Sequence, residues 1–249
     1  MVARMLSVSC VMFAYNEEEN IAFCMEEALE FLASATDDYE LILVDDGSSD
    51  GTADAARSVQ AERPAHVQVV SYRPNRGIGG ALKAGYAVAR KEFITCLPAD
   101  GQVPPSGLQN LFDVLQDGTG VDLVTCHFPH RFKEADSLFR KVLSRGLRLV
   151  LWLATGVGRK MDGVYLIPRE VVQGTVLKSD TFFLNLELPI RAIRSGLKPG
   201  EATMHIRPRR AGESKVLNLG RIWMVFRETL RLGLEIRFGI GAEKSGDRS

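Results

Sequence analysis

The chain has 249 residues, 45% of them hydrophobic and 25% charged, and its 31 basic and 31 acidic side chains give a formal net charge of zero. This composition is typical of a globular protein that buries a sizeable core, and the neutral balance excludes bulk electrostatic binding to nucleic acid. No apolar stretch approaches the roughly 20 residues that a bilayer-spanning helix needs. We therefore expect a protein that is soluble or lies on a membrane surface.

The first half of the chain alternates strand and helix patterns. Strands are predicted at 6–13, 39–44, 66–71, 92–97 and 121–126, and helices at 52–63, 77–90 and 104–116. Another helix is expected after Asn16, which would form a capping box with Glu19, and Asp50 is expected to cap the helix that follows it. Repeated strand–helix units predict an α/β fold with a mostly parallel sheet flanked by helices on both faces.

Three polar loops follow strands of this predicted sheet. They are Tyr15-Asn16-Glu17, Asp45-Asp46-Gly47 and Ala99-Asp100-Gly101-Gln102. Because ligands bind beyond the carboxyl ends of parallel strands, we expect the loops to converge on one site. Asp-Asp-Gly alone is a common turn, but after a buried strand its carboxylates can accept hydrogen bonds from a nucleobase or ribose. We assign the nucleotide contact to Asp46 and the shaping of the turn to Asp45.

The second half contains two predicted amphipathic helices, at about 137–154 and 218–240, and ends in a polar tail, 241–249, that we expect to be disordered. Basic residues cluster on the first helix, and both carry large apolar side chains: Trp152, Trp223, Phe226 and Phe238. Aromatic side chains flanked by arginine favour a membrane interface. The alternative is that the apolar stripes pack on the protein's own core.

Several segments carry a family resemblance. Residues 13–18 read Phe-Ala-Tyr-Asn-Glu-Glu, residues 43–52 Leu-Val-Asp-Asp-Gly-Ser-Ser-Asp-Gly-Thr, and residues 75–85 Asn-Arg-Gly-Ile-Gly-Gly-Ala-Leu-Lys-Ala-Gly. These segments resemble the family-two inverting glycosyltransferases of the GT-A fold, and among them the dolichol-phosphate mannosyltransferase-like, or polyprenyl-phosphate glycosyltransferase, group. Segments 140–146, 162–170 and 210–215 extend the resemblance over roughly residues 8–232. It implies a GT-A catalytic domain over 1–217.

The resemblance also implies roles for individual residues. The nucleotide pocket would be lined by Phe13, Tyr15, Glu17, Val44 and Asp46. The diphosphate and a Mg²⁺ or Mn²⁺ ion would lie at Ala99, Asp100 and Gln102, with Asp100 and Gln102 as the metal ligands. The acceptor phosphate would be bound by Arg131, Arg140, Ser214 and Lys215. Catalysis would depend on Asp100, Arg131, Arg140 and Lys215.

One position departs from the family pattern. The metal loop of the family reads Asp-x-Asp-x-Gln, whereas this chain reads Pro98-Ala99-Asp100-Gly101-Gln102, so the first carboxylate is missing. Mg²⁺ is often held by only one or two carboxylates together with substrate phosphates and water. Asp100, Gln102 and a diphosphate can therefore still form a site.

The leading hypothesis is transfer of a hexose, of mannose or glucose type, from a GDP- or UDP-sugar to a polyprenyl or dolichyl phosphate at the cytoplasmic membrane face. A phosphate acceptor needs no general base, because the second pKa of a monoester is about 6. One alternative is a soluble glycosyltransferase that acts on a glycan or small-molecule hydroxyl, with Glu187 on a helix at 182–195 as the base. Another is a non-catalytic nucleotide-sugar-binding homologue that Pro98 has disabled.

Overall fold

The computed structural model describes residues 6–129, 146, 149–208 and 219–238. Its strands are β1 (Ser7–Ala14), β2 (Asp38–Asp45), β3 (Val67–Ser71), β4 (Phe93–Pro98), β5 (Leu123–His127), β6 (Tyr165–Pro168) and β7 (Pro199–Thr203). They form one sheet in the order β3-β2-β1-β4-β6-β5-β7. Only β6 runs antiparallel to its neighbours, which confirms the predicted α/β fold with a mostly parallel sheet.

Helices cover both faces of this sheet. They are α1 (Glu18–Ala35), α2 (Thr52–Glu62), α3 (Gly77–Val88), α4 (Leu108–Gln116), α5 (Arg169–Gly174) and α6 (Leu184–Arg194). A further helix, α7 (Leu219–Phe238), follows them in the sequence. Alternate side chains of each strand point to opposite faces, so the core has two layers. In β2, Leu41 and Leu43 pack with α1, α2 and α4, whereas Ile42 and Val44 pack with α3, α5 and α6.

The chain divides into two compact units. Unit 1 comprises Met1–Arg131 and Lys160–Glu213, and unit 2 comprises Phe132–Arg159 and Ser214–Ser249. Both amphipathic segments predicted from the sequence fall in unit 2. Of the first, the structure describes residue 146 and residues 149–154, and the tail at 241–249 lies outside the described residues.

Within unit 2, α7 packs on the helical residues 149–155 through a glycine. A Cβ added to Gly233 would lie 2.7 Å from the Cβ of Ala154, so only a glycine allows this close approach. Thr229 and Leu232 are buried on α7. Of the apolar stripe predicted on this helix, Trp223, Leu230 and Leu234 are exposed and Phe226 is partly buried, and Phe238 at the end of the helix is also exposed. In the described part of the chain, no helix is both long and apolar enough to cross a membrane.

Asn16 is not the cap of α1, and the predicted capping box with Glu19 is wrong. The helix begins at Glu18, and Asn16 has a left-handed backbone with φ of 54°. Its side-chain oxygen accepts a hydrogen bond from the Ser49 N–H at 2.8 Å, and its own N–H donates to Ser48 Oγ at 2.9 Å. Asn16 therefore connects the loops after β1 and β2 instead of capping its own helix.

The close packing of α3 on the sheet leads to a stability prediction. A Cβ added to Gly85 would lie 2.4 Å from Val11 Cγ1 and 3.1 Å from Val44 Cγ2. We expect Gly85→Ala to lower the free energy of unfolding by about 1–3 kcal/mol, because α3 must move away from the strands. Denaturant unfolding measures the change.

The matched control is Gly174→Ala at the end of α5, where an added Cβ meets no described atom within 4 Å. That substitution should be neutral or slightly stabilising, because alanine favours helix more than glycine does. Equal effects of the two substitutions would contradict the close packing of α3.

Candidate functional site

The predicted convergence of three loops is confirmed at the carboxyl end of β1. The Asp46 N–H donates to Ala14 O at 2.9 Å on one side of this strand, and the Ala99 N–H donates to Phe13 O at 3.1 Å on the other. The chain progresses from β1 through β2 to β3 in one direction, whereas β4 lies on the opposite side of β1. This reversal is the switch point at which open α/β sheets bind their ligands.

The loops after β1 and β2 are joined by hydrogen bonds. The Glu17 N–H donates to Thr52 Oγ1 at 2.9 Å, and the Gly51 N–H donates to a Glu18 carboxylate oxygen at 3.0 Å. The N-cap position of α2 is Gly51 and not the predicted Asp50. Asp50 instead accepts from the Thr52 N–H at 3.1 Å and from the Glu18 N–H at 3.3 Å. Burial alone would raise the pKa of Asp50. Hydrogen bonds from the Thr52 hydroxyl and from the Thr52 and Glu18 N–H groups outweigh burial and lower this pKa. The two loops therefore present one preorganised surface.

Asp45 shapes the turn after β2. Its side chain is buried, and its two carboxylate oxygens accept hydrogen bonds from the Ser48 N–H at 3.0 Å and from Ser71 Oγ at 2.8 Å. Gly47 follows with φ of +76°, and a Cβ there would lie 2.9 Å from the Asn75 nitrogen. Asp45 and Gly47 thus fix the course of the backbone.

Asp46 is held differently. One carboxylate oxygen, Oδ1, accepts from the Tyr72 hydroxyl at 2.9 Å and from the Arg76 N–H at 2.7 Å. The second oxygen, Oδ2, has no hydrogen-bond partner among the described residues. Burial and the neighbouring Asp46 carboxylate raise the pKa of the Tyr72 phenol, which therefore remains a donor at neutral pH. Asp46 is oriented through Oδ1, and Oδ2 can accept a hydrogen bond from a ligand.

Tyr72 had no role in the sequence analysis. The Arg76 guanidinium lies over its ring, 4.2 Å from the centroid, so the two side chains also interact with each other. The polar side chains just after β3 could have indicated further site residues. Their contact with Asp46, however, depends on the path of the chain after that strand.

The other residues predicted for the nucleotide pocket lie in different environments. The Tyr15 side chain is 50% exposed beside the switch point, Phe13 is partly buried, and Glu17 accepts from Asn20 Nδ2 at 2.7 Å. Val44 is fully buried. Its side chain packs in the core layer beneath α3, so only its backbone can line the pocket, and the predicted role of Val44 stays a prediction.

The loop after β4 contains the residues predicted to hold a diphosphate and its metal. Asp100 Oδ1 accepts from the Gln102 N–H at 3.0 Å, across Gly101 with φ of +69°. The Gly101 and Gln102 carbonyls accept from Arg207 Nε at 2.6 Å and from the Arg207 N–H at 2.9 Å. Ala99 is buried and its N–H donates to β1, and its predicted place at the diphosphate stays a prediction.

This loop provides few ligands for a metal. Across the described ranges, no three His, Cys, Asp or Glu side chains are grouped so that they could hold an ion. The loop itself contributes the Asp100 carboxylate and the Gln102 amide oxygen, which are hard oxygen donors of the kind that Mg²⁺ and Mn²⁺ prefer. A cation bound here needs further oxygens from its ligand.

The residues predicted to bind the acceptor phosphate, Arg131, Arg140, Ser214 and Lys215, lie outside the described residues, so their roles stay predictions.

Glu187, the candidate base for a hydroxyl acceptor, is a buried structural carboxylate. It is 3% exposed and accepts hydrogen bonds from the Lys178 N–H at 3.1 Å and the Ser179 N–H at 2.9 Å. It also forms an ion pair with Arg191 at 2.8 Å, one turn further along α6. The carboxylate therefore holds the segment before α6 in place, which does not favour a catalytic role.

Comparison with known proteins places this geometry in a family. The chain is 33% identical over 212 residues to undecaprenyl-phosphate 4-deoxy-4-formamido-L-arabinose transferase of Yersinia enterocolitica, which covers 84% of this chain and 62% of the relative. A protein of the same name from Photorhabdus laumondii is 35% identical over 149 residues, 60% of this chain and 44% of the relative. The chain thus spans about three-fifths of the length of the first of these relatives.

A solved structure of glucosyl-3-phosphoglycerate synthase from Mycobacterium tuberculosis, in complex with Mn²⁺, UDP and phosphoglyceric acid, superimposes with a TM-score of 0.69. The sequences are 20% identical, and the match covers 97% of this chain and 81% of the synthase. This likeness shows a shared GT-A fold. The model of the family described as "Glycosyl transferase family 2" matches residues 9–173, and the chain belongs to that family.

Proposed function

We propose that the chain is a nucleotide-sugar-dependent glycosyltransferase that transfers a sugar to a polyprenyl phosphate. The observation that carries this proposal is the placement of Asp46 and the Asp100–Gln102 loop on opposite sides of the end of β1. Neighbouring strands lie about 4.8 Å apart, so the two groups are separated by roughly two strand spacings, or about 10 Å. That arrangement allows one extended ligand to contact both.

The nucleoside is proposed to bind on the Asp46 side. Asp46 Oδ2 can accept a hydrogen bond from a base N–H or a ribose hydroxyl, while Tyr72 and Arg76 hold the other oxygen. The exposed ring of Tyr15 offers a surface on which a base can stack. These groups accommodate either UDP or GDP, the two carriers that we predicted.

The diphosphate is proposed to bind at Asp100 and Gln102 together with Mg²⁺ or Mn²⁺. With one carboxylate in the loop, the donor set suits a cation that keeps much of its coordination for phosphate oxygens and water. Such an ion, when bound, supplies positive charge to the diphosphate as it leaves. The protein's part is to hold Asp100 and Gln102 in a fixed loop.

The acceptor is proposed to be a polyprenyl phosphate, as the names of the Yersinia and Photorhabdus relatives suggest. An acceptor phosphate oxygen attacks the anomeric carbon opposite the diphosphate, the bond from that carbon to the diphosphate breaks, and the configuration inverts. The monoester has a second pKa of about 6, so its oxygen is already anionic near neutrality and no general base is required. We assign Arg131, Arg140, Ser214 and Lys215 to this phosphate.

We predicted a hexose, whereas the relatives carry a modified arabinose in their names. The assay therefore has to offer both classes of donor.

Replacement of Asp100 tests the donor site. Radiolabelled UDP- and GDP-sugars are incubated with undecaprenyl phosphate and Mg²⁺ or Mn²⁺, and the lipid-linked product is counted. We expect Asp100→Asn to lower the transfer rate at least about 100-fold, because weakening even an outer partner of a metal site costs 10- to 100-fold.

The control for this test is Asp113→Asn, at an exposed position on α4, which should transfer at the normal rate. An unchanged rate in Asp100→Asn removes Asp100 from the site. If the folded wild-type chain transfers no offered sugar yet binds nucleotide, the proposal fails in favour of a non-catalytic homologue.

A substitution of Glu187 distinguishes transfer to a phosphate acceptor from transfer to a hydroxyl acceptor. We expect Glu187→Gln to lower the free energy of unfolding by roughly 3–5 kcal/mol, because it breaks a buried ion pair. Glu26→Gln, which breaks a more exposed pair with Arg63, should cost about 1 kcal/mol or less. Urea unfolding compares the two variants. A Glu187→Gln protein of normal stability that has lost all turnover would instead support Glu187 as a base.

Unit 2 is proposed to attach the protein to the cytoplasmic face of a membrane. Trp223 and Phe238 on α7 are 65% and 67% exposed, and Trp152 is 51% exposed on the helical residues 149–155. Arg227, Arg231 and Arg237 of α7 are also exposed. Exposed aromatic side chains beside arginines favour the headgroup region of an anionic bilayer.

Vesicle sedimentation tests this attachment. We expect the double substitution Trp223→Ser and Phe238→Ser to weaken binding to vesicles of phosphatidylcholine and phosphatidylglycerol at least about tenfold, because burying each ring contributes about 1.5–3 kcal/mol. Val176→Ser, at an exposed apolar position of unit 1, is the control and should bind normally. Equal sedimentation of all three proteins would exclude the α7 stripe as the attachment surface.

A further inference from the structure

Arg207 connects the Asp100–Gln102 loop to α1. Its guanidinium donates to both carboxylate oxygens of Glu27, with Nη1 to Oε1 at 2.8 Å and Nη2 to Oε2 at 2.5 Å. The side-chain Nε–H donates to the Gly101 carbonyl at 2.6 Å, and the Arg207 backbone N–H donates to the Gln102 carbonyl at 2.9 Å. One residue therefore contacts two consecutive carbonyls of the loop and a carboxylate on α1.

The helix that provides Glu27 is a rigid support. The neighbouring α1 residues Met25 and Ala28 are fully buried in the core. A two-pronged contact between guanidinium and carboxylate fixes direction as well as distance, which a lysine cannot reproduce.

We propose that Arg207 is a positioning residue, which holds the Asp100–Gln102 loop in the conformation that binds a metal–diphosphate group. The inference rests on the proposed function. Pro98 leaves the loop with one carboxylate, so an ion has fewer protein contacts with which to order the loop. Because Arg207 and Glu27 already order the loop, binding does not include the entropic cost of ordering it.

The test is a calorimetric titration with UDP and with GDP, each in the presence of Mn²⁺ and each with EDTA. We expect Arg207→Gln to weaken Mn²⁺-dependent binding roughly 10- to 100-fold, the range found when supporting partners of a metal site are removed. Binding in EDTA, which depends on Asp46 and Tyr15, should change less than about twofold, within the usual independence of separate sites. Arg207→Lys should give an intermediate loss.

Two further variants complete the test. Arg63→Gln is the matched control, because it breaks an ion pair with Glu26, the residue beside Glu27 on α1, at 3.1 Å, without contact to the loop. It should bind both nucleotides normally and unfold at a temperature similar to that of Arg207→Gln. Glu27→Gln removes the same connection from the helix side, and should also weaken Mn²⁺-dependent binding selectively if Arg207→Gln fails to fold.

The outcomes separate this inference from the proposed function. Wild-type Mn²⁺-dependent affinity in Arg207→Gln overturns the positioning role and leaves the proposed function intact. An equal loss of nucleotide affinity with Mn²⁺ and with EDTA also overturns the positioning role, because Arg207 would then support the whole fold. If the wild-type chain binds neither nucleotide under either condition, the proposed function fails and the inference falls with it.

Discussion

Two backbone hydrogen bonds at the carboxyl end of β1 determine what the site can offer to a ligand. They attach the start of the Asp46 loop to one edge of the strand and the start of the Asp100 loop to the other edge. The parallel register of β2, β1 and β4 brings all three strand ends to one level of the sheet. Side chains from distant parts of the sequence thereby border one crevice, and their separation follows from strand spacing.

The surrounding hydrogen bonds distinguish groups that build the site from groups that remain available. Asp45 accepts through one oxygen from its own turn and through the other from Ser71 at the end of β3, whereas Asp46 is bonded through one oxygen by Tyr72 and Arg76. Buried carboxylates need such partners, because an unpaired buried charge is strongly destabilising. The same principle applies to Glu187, whose contacts with the Lys178 and Ser179 N–H groups and with Arg191 make it a structural residue.

Local patterns in the sequence were sufficient to predict the fold, the three loops and the role of Asp45 in shaping its turn. Predictions failed where a distant partner decided the outcome: Asn16 bonds the loop after β2 instead of its own helix. The core position of the Val44 side chain, in contrast, follows from strand alternation. Arg207 and Glu27 are 180 residues apart, and no pattern in either segment indicates that they pair.

The most direct test of the account is hydrogen–deuterium exchange of the whole chain with UDP or GDP and Mn²⁺. We predict slower amide exchange in the three loops at 15–17, 45–51 and 98–102, with little change at the amino ends of the strands. Exchange unaffected by either nucleotide, or slowed only outside these loops, would contradict the claim that the end of β1 is the donor site.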